Sequence, residues 1–136
     1  IYDPENNQKM VNLRAEKIQR IAQDIPKLEV DGPASGKLLV LGWGGTFGPI
    51  YQAVRSVRRN GRSVSHAHLN YLNPFPKNTE QILRKFDQVL IPELNMGGLL
   101  FLVRARFPGV QATGLHKVQG QPFKEIEIQQ KIEELL

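Results

Sequence analysis

Three groups of residues in this chain have types and spacings that could do chemistry. The first is the glycine loop Gly42-Trp43-Gly44-Gly45-Thr46-Phe47-Gly48, directly after the apolar run Leu38–Leu41. Glycines at a strand-to-helix turn let backbone amides approach a phosphate, and α/β sheets place ligands at the carboxyl ends of their strands. The second group is His66 and His68, with Glu93 at the end of a later apolar run. Residues i and i+2 of a strand share a face, so two imidazoles could share a metal with Glu93 as a third ligand. The third is Arg55, Arg58, Arg59 and Arg62, crowded at the end of one predicted helix, which suits an anion.

Each group also has a plainer reading. The dinucleotide fingerprint G-x-G-x-x-G/A wants a small residue where Phe47 stands, and an acid about 20 residues on, where the chain reads His68-Leu69-Asn70. A phosphate loop ending in Gly-Lys-Ser/Thr is missing, since Gly48 is followed by Pro49. The glycines then serve a tight turn and close packing. Histidines on a short strand are more often packing residues than ligands. His68, near the carboxyl end, is the one best placed to meet something outside the domain. Glu93, as a lone acid, is expected to hold backbone amides of the 95–99 loop or a neighbouring chain. Ser56, Ser63 and Ser65 lack the flanking glycines of a nucleophile elbow. The arginines complement a helix dipole without any ligand.

Composition narrows the classes. The 136 residues suffice for one core, and 40% hydrophobic with 23% charged residues is an ordinary globular balance. No apolar run approaches the roughly 20 residues that span a bilayer. The start, Ile1-Tyr2-Asp3-Pro4-Glu5, has no basic leader pattern, so the expectation is a cytoplasmic protein without a membrane partner. An isoleucine start also suggests a segment of a longer chain. The chain has no cysteine, which excludes disulfides, thiolate catalysis and cysteine-ligated clusters within it. The net charge of +5 is segregated, with Glu125, Glu127, Glu133 and Glu134 at the far end, which argues against a nucleic-acid binder.

The elements that must position these residues follow from periodicity. The pattern predicts a helix over Asn7–Ile25, with Val11, Ile18, Ala22 and Ile25 at helical spacing, then a connector over 26–36. Strands are predicted at Leu38–Leu41, Ser63–Leu69, Val89–Ile91 and Val110–Leu115. Helices are predicted at Thr46–Arg59, Glu80–Phe86, Met96–Phe107 and Lys124–Leu136, the last with Ile126, Ile132, Leu135 and Leu136 inward. Wholly apolar strands are buried on both faces, and alternation with helices means a mostly parallel sheet with helices on both sides. The expected fold class is a three-layer α/β/α sandwich. Residues 1–36 are expected to be a lead-in helix and linker from a preceding domain, and residues 37–136 the α/β domain.

Six segments then carry a resemblance. They are Asp3-Pro4-Glu5-Asn6, Leu13-Arg14-Ala15-Glu16-Lys17-Ile18, Leu41-Gly42-Trp43-Gly44-Gly45-Thr46-Phe47-Gly48, His68-Leu69-Asn70-Tyr71-Leu72-Asn73-Pro74-Phe75-Pro76, Pro92-Glu93-Leu94-Asn95-Met96-Gly97 and Lys117-Val118-Gln119-Gly120-Gln121-Pro122-Phe123. Together they resemble the C-terminal part of the α subunit of a 2-oxoacid:ferredoxin oxidoreductase, most like the 2-oxoglutarate type. Each motif alone is modest, but six in register across the chain are specific. The resemblance implies a transketolase C-terminal-like domain. It also implies a complex that converts a 2-oxoacid plus CoA to acyl-CoA and CO2 while reducing ferredoxin. Thiamine diphosphate, Mg2+ and 4Fe-4S clusters would sit elsewhere in that complex, with no cofactor or metal in this segment, which alone is expected to be inactive. Two departures stand out: Gly98 where relatives commonly carry Gln, and Gly45 where they often carry Ser.

The role implied is assembly, against the β subunit and the rest of the α chain, with ferredoxin and CoA as partners of the whole complex. The chain could also self-associate. Interface candidates are Gly44, Thr46, Phe47, His68, Tyr71, Phe75, Glu93 and Asn95, with Trp43 as a further aromatic anchor. Arg55, Arg58, Arg59 and Arg62 are the anion candidates. An independent dinucleotide-binding module is the alternative.

Overall fold

A computed structural model describes residues 4–94, 97–117 and 121–136. Helix α1 (Pro4–Asp24) leads into β1 (Val30–Asp31), β2 (Gly36–Trp43), α2 (Phe47–Arg59), β3 (Ser65–Leu69), α3 (Thr79–Leu83), β4 (Phe86–Leu94), α4 (Gly98–Arg106), β5 (Ala112–Lys117) and α5 (Glu125–Leu135). The five strands form one sheet in the order β1-β3-β2-β4-β5. The four from β2 to β5 are parallel, and β1 closes one edge antiparallel to β3.

Apolar runs buried on both faces build the two halves of the core. Leu39, Leu41, Ala67, Leu69, Val89 and Ile91 point to the side covered by Leu83 of α3 and Leu99 and Val103 of α4. Their neighbours Leu38, Val40, Val64 and Leu90 point to the opposite side, against Ile50, Ala53, Val54 and Val57 of α2 and Ile128 and Ile132 of α5. The period-2 alternation of side chains makes one four-residue run serve both layers.

The connector does more than join. Ser65 Oγ donates to the Pro33 carbonyl at 2.6 Å. The Asn78 carboxamide brackets Leu28, accepting from its N–H at 2.8 Å and donating to its C=O at 2.9 Å. These bonds hold Val30 and Asp31 opposite Ala67 and His66. Asn78 precedes α3 but makes no side-chain capping bond there, and fastens the connector instead.

Three element readings change. Phe86, expected on the inner face of a helix, opens β4 opposite Gly36, because α3 stops at Leu83 and the ladder takes over. In α5 the buried pair is Ile128 and Ile132, while Ile126 is exposed. Two residues rotate a helix by about 200°, so Ile126 cannot share the face of Ile128. In α1 the apolar stripe does not enter the core: Met10, Val11, Leu13, Ile18 and Ile21 stay 41–63% exposed, and the first buried residue is Ile25, just past the helix end.

Candidate functional site

The carboxyl ends of β2, β3 and β4 bring the sequence candidates to one end of the sheet. Trp43 closes β2, and Gly44–Thr46 form a single 3-10 turn into α2. Two glycines there are required by geometry. Gly44 takes φ 62°, a left-handed conformation that side chains resist. A Cβ on Gly42 would lie 2.6 Å from Ile50 Cδ1 and 2.9 Å from His68 Nδ1. Thr46 is buried and its hydroxyl donates to the Trp43 carbonyl at 2.9 Å.

Glu93 is buried at the end of β4 and holds three donors. Its carboxylate accepts from the N–H of Leu99 at 2.6 Å, from Leu100 at 3.1 Å and from the Trp43 indole at 3.3 Å. Leu99 and Leu100 lie in the first turn of α4, where amides have no intrahelical acceptor and a negative charge meets the positive end of the dipole. Glu93 is thus engaged in joining β2, β4 and α4. Asn95 lies outside the described residues.

His66 and His68 share the α2 face of β3, their ring centroids 6.0 Å apart, and Phe47 packs against both at 5.5 and 5.2 Å. The other side of Phe47 meets Tyr51 at 5.6 Å. Burial and the neighbouring His68 push the His66 pKa down to about 4, so its ring is neutral at physiological pH. Burial also lowers the His68 pKa, against a hydrogen bond with the Gly44 carbonyl at 3.2 Å that raises it. Among the described residues, no group of three or more His, Cys, Asp or Glu is placed to hold a metal.

Two candidates change character. Phe75, expected among exposed anchors, is a core residue packed on Phe107 at 5.5 Å. Arg58 turns inward: it pairs with the Asp31 carboxylate at 3.1 Å and donates to the Val64 carbonyl at 3.0 Å. Arg55 lies over the Tyr51 ring at 4.2 Å, and Arg59 donates to Ser56 Oγ at 3.2 Å. Arg62 is exposed. Arg55, Arg58 and Arg59 nevertheless line one open pocket of about 330 Å3, while Arg62 is not in its lining. Asp31 gave no signal in sequence, because its partner lies 27 residues away and depends on β1 joining the sheet.

No family model matches this chain. Over 128 residues, 93% of this chain, it is 45% identical to the 2-oxoglutarate oxidoreductase subunit KorA of Mycobacterium tuberculosis. The chain belongs to the α subunits of the 2-oxoacid:ferredoxin oxidoreductases. It corresponds to the C-terminal domain of such a subunit, and spans about a fifth (19%) of the length of that relative. The solved 2-oxoglutarate:ferredoxin oxidoreductase of Magnetococcus marinus, which holds 2-oxoglutarate, coenzyme A and succinyl-CoA, superposes with a TM-score of 0.86. The superposition covers 99% of this chain and 24% of that one at 22% identity. A split-gene transketolase, as an inactive beta4 tetramer, gives a TM-score of 0.62 at 13% identity, over 81% of this chain and 41% of that one. These likenesses give the domain its fold, the transketolase C-terminal-like sandwich with a largely parallel sheet.

The cofactors that the resemblance implies would need donors that the described residues do not bring together. A 4Fe-4S cluster needs thiolates, and the chain has no cysteine. The glycine loop lacks a phosphate-gripping lysine, and Glu93, the acid nearest to it, already holds three donors. The alternative of a dinucleotide module at this loop fares no better: Phe47 fills the position that should be small, and Asn70 stands just past β3 where a ribose-binding acid belongs.

Proposed function

We propose that this domain is a non-catalytic assembly element of a thiamine diphosphate-dependent 2-oxoacid:ferredoxin oxidoreductase of the 2-oxoglutarate type. The complex would convert a 2-oxoacid and CoA to acyl-CoA and CO2, passing the electrons to ferredoxin. Thiamine diphosphate, Mg2+ and the 4Fe-4S clusters would be held by other parts. The domain would dock on the β subunit and on the rest of the α chain. Residues 1–36 would lead in from a preceding domain, with Val30 and Asp31 already pinned to the sheet of residues 37–136.

The observation that carries this reading is the exposed apolar face of α1. A 21-residue helix with Met10, Val11, Leu13, Ile18 and Ile21 in water gains little from its own propensity. Helices of this kind are stabilised by laying the apolar stripe on another surface. Phe101, 72% exposed on α4, and Trp43 at the end of β2 offer further apolar anchors.

Native mass spectrometry of the intact assembly tests it. The expected result is a longer chain containing this domain, bound to a cysteine-rich partner that carries thiamine diphosphate. A free chain of about this length with no such partner would overturn the proposal.

A further inference from the structure

The α2 side of the sheet carries a cleft that the assembly reading does not use. Its volume is about 540 Å3, and its lining includes Leu28, Phe47, His66, His68, Asn70 and Tyr71. That size is within the usual range for small-ligand sites, about 300–1,000 Å3. It exists because α2 covers β2 and β3 but not the β1 edge, where the connector forms the far wall.

The lining has three properties. First, His66 is 2% exposed, yet its Nε2 has no hydrogen-bond partner on the protein. Buried polar atoms are nearly always paired, so an exception lining a cleft calls for a partner. The buried Nδ1 of His68 is unpartnered too, but it lies against Gly42, while its Nε2 faces the Gly44 carbonyl. Second, the aromatic walls are open. Phe47 and Tyr71 are each 48% exposed, and each presents a ring to the cleft. Third, the cleft has no net charge to offer. Burial lowers the pKa of both imidazoles, Lys27 and Glu29 in the lining carry opposite charges, and Asp31 is paired with Arg58. Such a lining rejects a phosphate or a carboxylate and favours a flat ring with a hydrogen-bonding edge.

We propose that this cleft binds an uncharged, flat heteroaromatic ring of the nucleobase type. The ring stacks on Tyr71, beside the edge of Phe47, and its polar edge meets His66 Nε2 and the Asn70 carboxamide. Stacking on aromatic side chains and edge pairing with an amide are the general means of base recognition. The phosphates of a nucleotide would extend into solvent, since the glycine loop has no cradle for them.

The test uses the native assembly containing this chain, with adenosine as an uncharged probe and inorganic phosphate as competitor. Equilibrium dialysis compares wild type, His66→Phe and Tyr71→Ala. His66→Phe keeps the ring and removes the nitrogens, and Tyr71 is exposed enough that its truncation spares the fold. We expect adenosine to bind the wild type, to bind each variant at least tenfold more weakly, and to resist displacement by phosphate. Equal binding in all three proteins, no binding to the wild type, or displacement by phosphate would each overturn the proposal. The assembly reading rests on α1, so its failure leaves this test intact.

Discussion

The Trp43 indole donates to the Glu93 carboxylate across 3.3 Å, tying together the carboxyl ends of β2 and β4. The same carboxylate receives the Leu99 and Leu100 amides, so one side chain fixes two strands and a helix start. Glu93→Ala would leave two buried amides unpaired, at about 1–3 kcal/mol each, and a loss of roughly 3 kcal/mol is expected. Glu93→Gln keeps an acceptor but removes the charge facing the dipole, for about 1 kcal/mol. Urea unfolding read by fluorescence reports both, because Trp43 is the single tryptophan of the chain. Costs below about 0.5 kcal/mol for both variants would show that the carboxylate is not the tie.

Two glycines of the same loop should respond in opposite directions. An alanine at 42 places its Cβ within 2.6 Å of Ile50 Cδ1 and 2.9 Å of His68 Nδ1, so these buried side chains must shift. Overpacking of this kind costs about 1–3 kcal/mol. At Gly48, in the first turn of α2, an added Cβ meets nothing within 4 Å. Gly48→Ala is expected to stabilise by about 0.5 kcal/mol through helix propensity and a less flexible unfolded chain. A pair of denaturation curves decides it: equal shifts of the same sign would contradict the packing argument.

The contrast between these glycines shows how far the sequence reaches. The chain Leu38–Gly48 announces strand, turn and helix, but nothing in it says which glycine carries a neighbour's side chain. Glu93 was readable as a holder of loop amides, because a lone acid past a buried strand faces a helix start. Trp43 as its third donor was not, since that contact joins two strands 50 residues apart. His66 and His68 were legible as sharing a face, which strand alternation dictates. The cleft over them was not, because it depends on Val30 and Asp31, two residues between a proline and a glycine that become a strand only by pairing with β3. Phe86 was misplaced because an apolar residue near an element's end reads equally well on either side of the boundary, and Ile126 because the buried face of α5 is set by Ile128 and Ile132.

The exposed face of α1 separates folding from assembly. Leu13 and Ile18 are 63% and 41% exposed and touch none of the core, so charged substitutions there should leave the stability of the sheet within about 0.5 kcal/mol. The double variant Leu13→Glu, Ile18→Glu should nevertheless lose at least tenfold in recovery of the β subunit when the full α subunit is used as bait. Undiminished recovery would remove α1 from the docking surface. A large fall in stability of the isolated chain would instead show that α1 packs on the sheet in solution.

His66 makes the stability of the domain depend on pH, and the sign follows from its folded pKa of about 4 against an unfolded value of 6.5. Between these two values the unfolded chain binds a proton that the folded chain refuses, so stability rises with pH across that window. The contribution is complete above pH 6.5 and is lost as pH falls toward 4. The full shift corresponds to about 3 kcal/mol, and His68, also lowered, acts in the same direction. Carboxylates titrate at the bottom of this window, so the clean interval lies between pH 6.5 and 5. His66→Phe should flatten the stability–pH curve there while leaving the steeper acid limb, and isothermal urea titrations at half-unit intervals would show it. If the slope between pH 6.5 and 5 is undiminished in His66→Phe, rather than reduced to the part that His68 supplies, the ring of His66 is not held neutral by burial.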